Sequence, residues 1–382
     1  MPVLVFGLSA AFVLYILFGY PLWLALLARR RERPVHKGPG TRTVSILLPV
    51  HNGETWLDRK LRSILALDYP RQLMQVIVIS DGSDDGAEGV ARQFADQGVE
   101  LVAIPRAGKA VALNEGMRRA RGEILFFTDV RQSLDPASLR NLVECFADPS
   151  VGVVSGELII RRGALEEENV GLYWRYEKWI RRQQSCIDSI LGASGCIYAM
   201  RAELAAPLPP GTILDDVYLP LRAFFRGYRI VWEAGARAYD YPTSIGSEFR
   251  RKVRTQAGVW QTIAAFPALL GWKNRMWLHF VSHKLGRLLL PWAMGLILLA
   301  SFGLPGIWRA VALCAHGVFY GLVLMDPLIP ERFPLKRLSS PARTVFVLML
   351  AAFCAAFVLF LPATVWGQTK VNVDGPGSDA RK

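Results

Sequence analysis

The sequence predicts an α/β fold with a mostly parallel, Rossmann-like sheet, flanked by transmembrane helices. Three observations carry this prediction. From Thr43 onward short runs of strand formers alternate with amphipathic helical stretches, apolar stretches of bilayer length lie toward both ends, and acidic residues fall where apolar runs stop.

Composition narrows the function classes. The 382 residues are 52% hydrophobic and carry a formal charge of +13, with a mean hydropathy of +0.25. A basic excess suits nucleic acid, anionic lipid or a phosphorylated substrate. Here Arg and Lys cluster after apolar runs and in one late amphipathic stretch, which points to a cytoplasmic membrane face and away from nucleic acid. The five cysteines form no C-x-x-C pair, so neither a zinc site nor a disulfide framework is expected.

Residues 1–28 contain no charged side chain and would reach about 42 Å as a helix at ~1.5 Å per residue. The basic run Arg29, Arg30, Arg31, Arg33 and Lys37 follows this stretch, as in an uncleaved anchor with its amino end outside and unlike a signal peptide. Residues 29–42 read as a basic linker. Between 43 and 246 the expected order is strand 44–50, helix 55–67, strand 76–80, helix 87–97, strand 100–104, helix 110–121, strand 124–128, helix 138–146 and strand 151–155. An aromatic, basic helix carrying Tyr173, Trp174, Tyr176 and Trp179 then follows, suited to core packing or to stacking on an acceptor sugar. Residues 247–286 form an amphipathic interface region. Residues 287–366 hold three span candidates, 288–304, 306–325 and 344–361, the first interrupted by Pro291, and 367–382 is a tail. Arg332, Lys336, Arg337 and Arg343 mark the loop between the last two spans as cytoplasmic. By parity, the tail lies outside.

Acids at strand ends are the candidate chemistry. Asp129 follows a buried strand, where open α/β sheets place ligands; a turn Asp capping the next helix reads equally well from this stretch alone. Asp81 lies in S-D-G-S-D-D-G, and Asp215 with Asp216 follows a third apolar segment. Lys109 stands just before a helix amino end, a place that suits an anionic phosphate as readily as a solvated loop lysine.

Six segments then fall in a telling order: P-V-H-N-G (49–53), S-D-G-S-D-D-G (80–86), G-K-A-V-A-L-N (108–114), F-T-D-V-R (127–131), L-D-D (214–216) and R-K-V-R-T-Q-A-G (251–258). Together they resemble the bacterial membrane-anchored family 2 glycosyltransferases of GT-A fold, relatives of the cellulose, chitin, hyaluronan and poly-N-acetylglucosamine synthases. The resemblance spans about 43–287. It implies an inverting transferase of the bacterial inner membrane, multi-pass, with a cytoplasmic catalytic domain. Such an enzyme moves a sugar from a nucleotide sugar, UDP-linked by expectation, to a saccharide or lipid-linked acceptor and makes a β-glycosidic bond.

By the same resemblance Asp216 is the catalytic base, supported by Asp215. Asp129 is the first acid of D-x-D and the metal ligand, and Arg254 stabilises the leaving diphosphate. Pro49, His51, Asp81, Lys109, Asp129, Arg131, Arg251 and Arg254 belong to the nucleotide-sugar side, Asp81 meeting uracil or ribose. Gly192, Ser194 and Gly195 belong to the acceptor side. His283 and Lys284 match an S-H-K segment near the first span after the catalytic domain.

Two positions depart from the pattern. Arg131 stands where the second acid of D-x-D belongs, so a required Mg or Mn is expected with Asp129 as ligand, or Arg131 binds phosphate in the metal's stead. Thr255 replaces the Trp of Q-x-x-R-W and Arg251 its Gln; Thr offers no flat face for an acceptor sugar, which counts against long-chain polymerisation. Nonprocessive transfer to a polyprenyl phosphate or another lipid is therefore one rival reading. A noncatalytic nucleotide-sugar-binding protein associated with a transporter is another, although the late spans offer few ionisable residues for a transport path.

Overall fold

A computed structural model describes residues 1–39, 41–162, 166–167, 172–241, 245–330 and 332–358. The chain divides into two compact units, one made of Arg31–Glu168 with Arg181–Pro242 and the other of Met1–Arg30, Asn169–Ile180 and Thr243–Lys382.

The first unit is built on a nine-stranded mixed sheet. Its strands are β1 (Val44–Val50), β2 (Met74–Asp81), β3 (Val99–Ile104), β4 (Ile124–Phe127), β5 (Ser133–Leu134), β6 (Val151–Arg162), β7 (Glu166–Glu167), β8 (Tyr198–Arg201) and β9 (Arg229–Asp240). The order is β3-β2-β1-β4-β8-β6-β9-β5, with β7 paired to β6. Strands β3, β2, β1 and β4 are mutually parallel, β8 runs antiparallel to β4 and β6, and β6 and β9 are parallel. The expected α/β architecture is therefore present. Two long-range strands, β8 and β9, complete it, β9 without having been anticipated, and β6 runs well past its expected end at residue 155.

Local chemistry accounts for the parallel half. In β1 nearly every side chain is buried, as a strand covered on both faces requires. The helix Glu54–Leu65 turns Leu57, Leu61 and Ile64 inward at helical spacing, and all three are fully buried. Burial on this scale contributes roughly 1.5–3 kcal/mol for each such side chain. Because β1 lies between β2 and β4, the order of connection reverses there, and the carboxyl ends of β1 and β4 open the crevice in which such sheets bind ligands.

The second unit is helical. It holds four helices long and apolar enough to cross a membrane: Pro2–Arg30, Trp277–Ser301, Gly306–Leu328 and Lys336–Phe357. Two expected boundaries move. The span expected from residue 288 begins at Trp277, through a π-helical turn at Phe280–Leu285, and continues through Pro291 without a break. The last helix starts at Lys336, eight residues before its expected start. The 247–286 region is accordingly not one interfacial element: the helix Ile245–Ala265 is followed by a 3-10 turn, Pro267–Leu270, and then by the span itself. His283 is buried in the π-helical turn, 3.6 Å from Glu177, which also pairs with Arg287. The expected tail, 367–382, lies outside the described residues.

Candidate active site

The site begins with loops that follow β1 and β2. His51 Nδ1 lies 2.9 Å from the Asp81 carbonyl oxygen, the Asn52 amide donates to Ser83 Oγ (3.2 Å), and the Asp84 amide donates to Asn52 Oδ1 (3.1 Å). The Glu54 amide donates to Asp85 and the Gly86 amide to Glu54. P-V-H-N-G and S-D-G-S-D-D-G, read separately in the sequence, thus form one hydrogen-bonded wall.

Asp81 is only 2% exposed, and its carboxylate accepts from Arg106, from the Ala107 amide (2.7 Å) and from the Gly108 amide (3.0 Å). These bonds shape the turn that delivers Lys109. Gly108 enters the helix Lys109–Arg119 at φ +95°, a conformation that side chains with a Cβ rarely adopt.

Lys109 stands at the centre. Its Nζ is 3.0 Å from Asp129 Oδ1 and 3.1 Å from Asp215 Oδ1. Burial works against its charge, but Asp129, Asp215 and Asp216 outweigh it and hold the ammonium well above the usual lysine range. The structure therefore brings Lys109, Asp129, Asp215 and Asp216 together from segments that are far apart in the chain. Asp215 and Asp216 do not close a strand; they are the first residues of the helix Asp215–Phe225, whose amino end favours negative charge.

The Gly192–Gly195 turn meets the same cluster. The Ala193 amide donates to the Asp216 carbonyl (2.8 Å), and a Cβ at Gly195 would lie 3.0 Å from Asp216 Oδ2. Ser194 is fixed by its amide on Ser155 Oγ (2.9 Å) and by Arg181 on its own Oγ (3.0 Å). Gly192 has φ +134°.

Arg131 is engaged away from the cluster. Its guanidinium pairs with Asp240, which is 1% exposed and also accepts from Gln132 Nε2 (2.8 Å) and from the Tyr241 amide (2.8 Å). The expectation that Arg131 supplies free positive charge to a diphosphate is corrected to that extent. Pro49 lies within β1, paired in register with Ile79. Arg251 and Arg254 lie on the helix Ile245–Ala265 in the other unit, where Arg251 pairs with Glu248 (2.6 Å) and Arg254 is exposed.

Sequence reasoning missed Arg106, Asp240 and Tyr198. Tyr198 is fully buried and stacks on Phe127 (centroids 4.5 Å apart, 2° between planes). Burial first, then Asp215, Asp216 and Asp129, push its phenol well above the usual tyrosine range. Only the pairing of β8 with β4 puts it there, so no local pattern announces it.

Among the described residues no group of three or more His, Cys, Asp or Glu could hold a metal ion by itself. Asp129 with the oxygens of a bound diphosphate would suffice for a divalent cation, since Mg commonly takes one or two carboxylates plus substrate phosphates. The electrostatics fit: three carboxylates surround the Lys109 ammonium, and the cluster would repel a diphosphate unless a further cation came with it.

A sheet whose order reverses at β1, with acids beyond its strand ends and a lysine at a helix amino end, is an arrangement in which open α/β sheets bind anionic ligands. Residues 45–206 match the model of "Glycosyl transferase family 2". The chain is 24% identical over 309 residues to a beta-monoglucosyldiacylglycerol synthase of Synechocystis sp., a match covering 74% of this chain and 64% of that protein. It is 26% identical over 224 residues to a poly-beta-1,6-N-acetyl-D-glucosamine synthase of Staphylococcus epidermidis, covering 56% and 54% respectively. The matches thus span little more than half to under two thirds of these relatives' lengths. A mannosyltransferase from Pyrobaculum calidifontis, solved with GDP-Man and Mn2+, superposes with a TM-score of 0.72 at 24% identity over 92% of this chain and 97% of its own, which shows the shared fold.

Proposed function

We propose that the chain is a membrane glycosyltransferase that moves a sugar from a nucleotide sugar, UDP-linked by preference, to a lipid or lipid-linked saccharide acceptor in one inverting displacement. The observation that carries this reading is the Lys109 ammonium between Asp129 and Asp215, with Asp216 beside it and the Gly192–Gly195 turn against Asp216. In this reading Asp216 takes the proton from the acceptor hydroxyl as its oxygen attacks the anomeric carbon and the bond to the diphosphate breaks. A single displacement inverts that carbon, so an α-linked donor yields a β-glycoside. Asp215 and Lys109 hold Asp216 and Asp129 in place. A divalent cation held by Asp129 would neutralise the diphosphate charge as it builds.

A lipid acceptor is favoured over a growing polymer by Thr255, which offers no stacking face where processive relatives carry Trp. The glycolipid synthase among the relatives supports the same choice. The four apolar helices support a multi-pass inner-membrane protein with its catalytic unit on the cytoplasmic side.

The test is incubation of membranes containing the full chain with radiolabelled UDP- and GDP-sugars, extracting lipid-soluble and polymeric products separately. The expected result is a lipid-soluble product that falls roughly 10²–10⁴-fold with Asp216→Asn, the usual contribution of a positioned base. EDTA should stop the reaction and Mg or Mn restore it. Wild-type transfer by Asp216→Asn would remove Asp216 as base, and activity that survives EDTA would remove the cation.

A further inference from the structure

Lys60 is the largest charged side chain buried completely in the sheet unit, at 0% exposure among apolar side chains. It projects from the helix Glu54–Leu65, whose inward stripe of Leu57, Leu61 and Ile64 would accommodate a Leu or Met at this position at no cost in desolvation. Its Nζ donates to Thr128 Oγ1 (2.6 Å) and to the Gln132 carbonyl oxygen (2.6 Å). Those two residues bracket Asp129, Val130 and Arg131. Thr128 Oγ1 donates a hydrogen bond to the Cys196 carbonyl oxygen (2.8 Å), next to Gly195. The far end of the same loop is fixed by Asp240, which receives both Arg131 and Gln132.

We propose that Lys60 is a positioning residue. By holding both ends of the 128–132 loop it fixes Asp129 against Lys109, and a loop with only one strand-end acid relies on that placement for transfer. The catalytic consequence rests on the glycosyl-transfer reading above; the clamp itself does not.

The loop has a specific need for such a clamp. It leaves β4 at Phe127 and re-enters the sheet at Ser133, so five residues must reverse course without a regular ladder to satisfy their backbone groups. A single ammonium that satisfies a side-chain oxygen at one end and a carbonyl at the other does what an apolar residue cannot. The geometry also explains why a costly buried amine occupies an otherwise apolar stripe.

The experiment uses the full chain in detergent with Lys60→Met, which keeps the stem and deletes the donors, and with Thr128→Val and Thr128→Ser, which delete and keep the acceptor. Backbone hydrogen exchange is read peptide by peptide. The clamp predicts exchange about tenfold faster in peptides covering 128–134 for Lys60→Met and Thr128→Val, with Thr128→Ser close to wild type and β2 peptides unchanged. If UDP-N-acetylglucosamine or another panel donor turns over, kcat should fall on the order of 100-fold with a KM change below about threefold, as for a catalytic group moved by about 1 Å. Unchanged exchange at 128–134 in both Lys60→Met and Thr128→Val overturns the clamp, whatever the activity. Faster exchange with full kcat overturns the positioning role alone. Absence of turnover in wild type counts against the glycosyl-transfer reading while the exchange result still decides the clamp. Should Lys60→Met fail to fold, the Thr128→Val and Thr128→Ser pair decides it.

Discussion

Lys60 and Lys109 are two lysines under opposite constraints. Lys109 is held charged by the carboxylates around it. Burial drops Lys60 to about 7, against the weaker pull of Cys196 and Asp129, the ionisable groups that face it. Its ordinary value, and hence its unfolded one, is about 10.4. Between those values the unfolded chain binds more protons than the folded chain, so the penalty for burying this amine is full below about pH 7 and is relieved as pH rises toward 10. Thermal unfolding of the detergent-solubilised chain should therefore show wild-type stability rising relative to that of Lys60→Met over that interval. A difference that stays constant from pH 7 to 10 would contradict the assignment. The residue scale is also where the structure adds most to the sequence. Asp81 and Arg131, read as donor-side residues, are paired with Arg106 and the 107–108 amides and with Asp240.

At the scale of elements, two turns frame the proposed site. The Gly192–Gly195 turn lies against Asp216, and a methyl group at Gly195 would crowd the carboxylate at 3.0 Å. Gly195→Ala should lower transfer about tenfold or more with little change in melting temperature, because the backbone there tolerates a Cβ while Asp216 must shift. A comparison of kcat and thermal melt on the same preparation checks this; equal losses in both would point to misfolding instead. The second turn is the Asp129 loop, tied by Arg131 to a buried carboxylate at the end of β9. Asp240→Asn should destabilise the sheet unit by roughly 3–5 kcal/mol, the usual penalty when one partner of a buried ion pair is lost. Replacing both Arg131 and Asp240 with apolar residues should recover part of that loss in denaturant titration. If the double variant is the less stable of the two, the pair is not the source of the effect.

Across the whole molecule, the apolar helices expose large side chains over their length, among them Leu299, Ile307, Trp308 and Leu324, each at least 67% exposed. Surfaces of this kind belong in hydrocarbon. The chain should stay in the pellet after alkaline carbonate washing of membranes and leave it only with detergent; release by carbonate would exclude integral insertion.

The parallel half of the sheet was legible because each strand announces itself locally, as a run such as V-S-I-L-L-P-V or I-L-F-F bounded by turn residues. Strands β8 and β9 do not announce themselves in this way. Tyr198–Arg201 is four residues long, and β9 alternates polar and apolar residues past the point where its partner is known. Both owe their conformation to ladders formed with β4 and β6, which no window of neighbouring residues contains.

The sequence by itself determined the class of protein: motif order, strand and helix alternation and apolar spans are local properties, written in residues close together in the chain. It also named Lys109, Asp129, Asp215 and Asp216 individually. Only the tertiary structure decided that the lysine sits between the acids, that Asp81 and Arg131 are already paired, and that Lys60 and Tyr198 underlie the site. Charges, hydrogen bonds and burial depend on distance in space, and each of these contacts joins segments separated by twenty to more than a hundred residues.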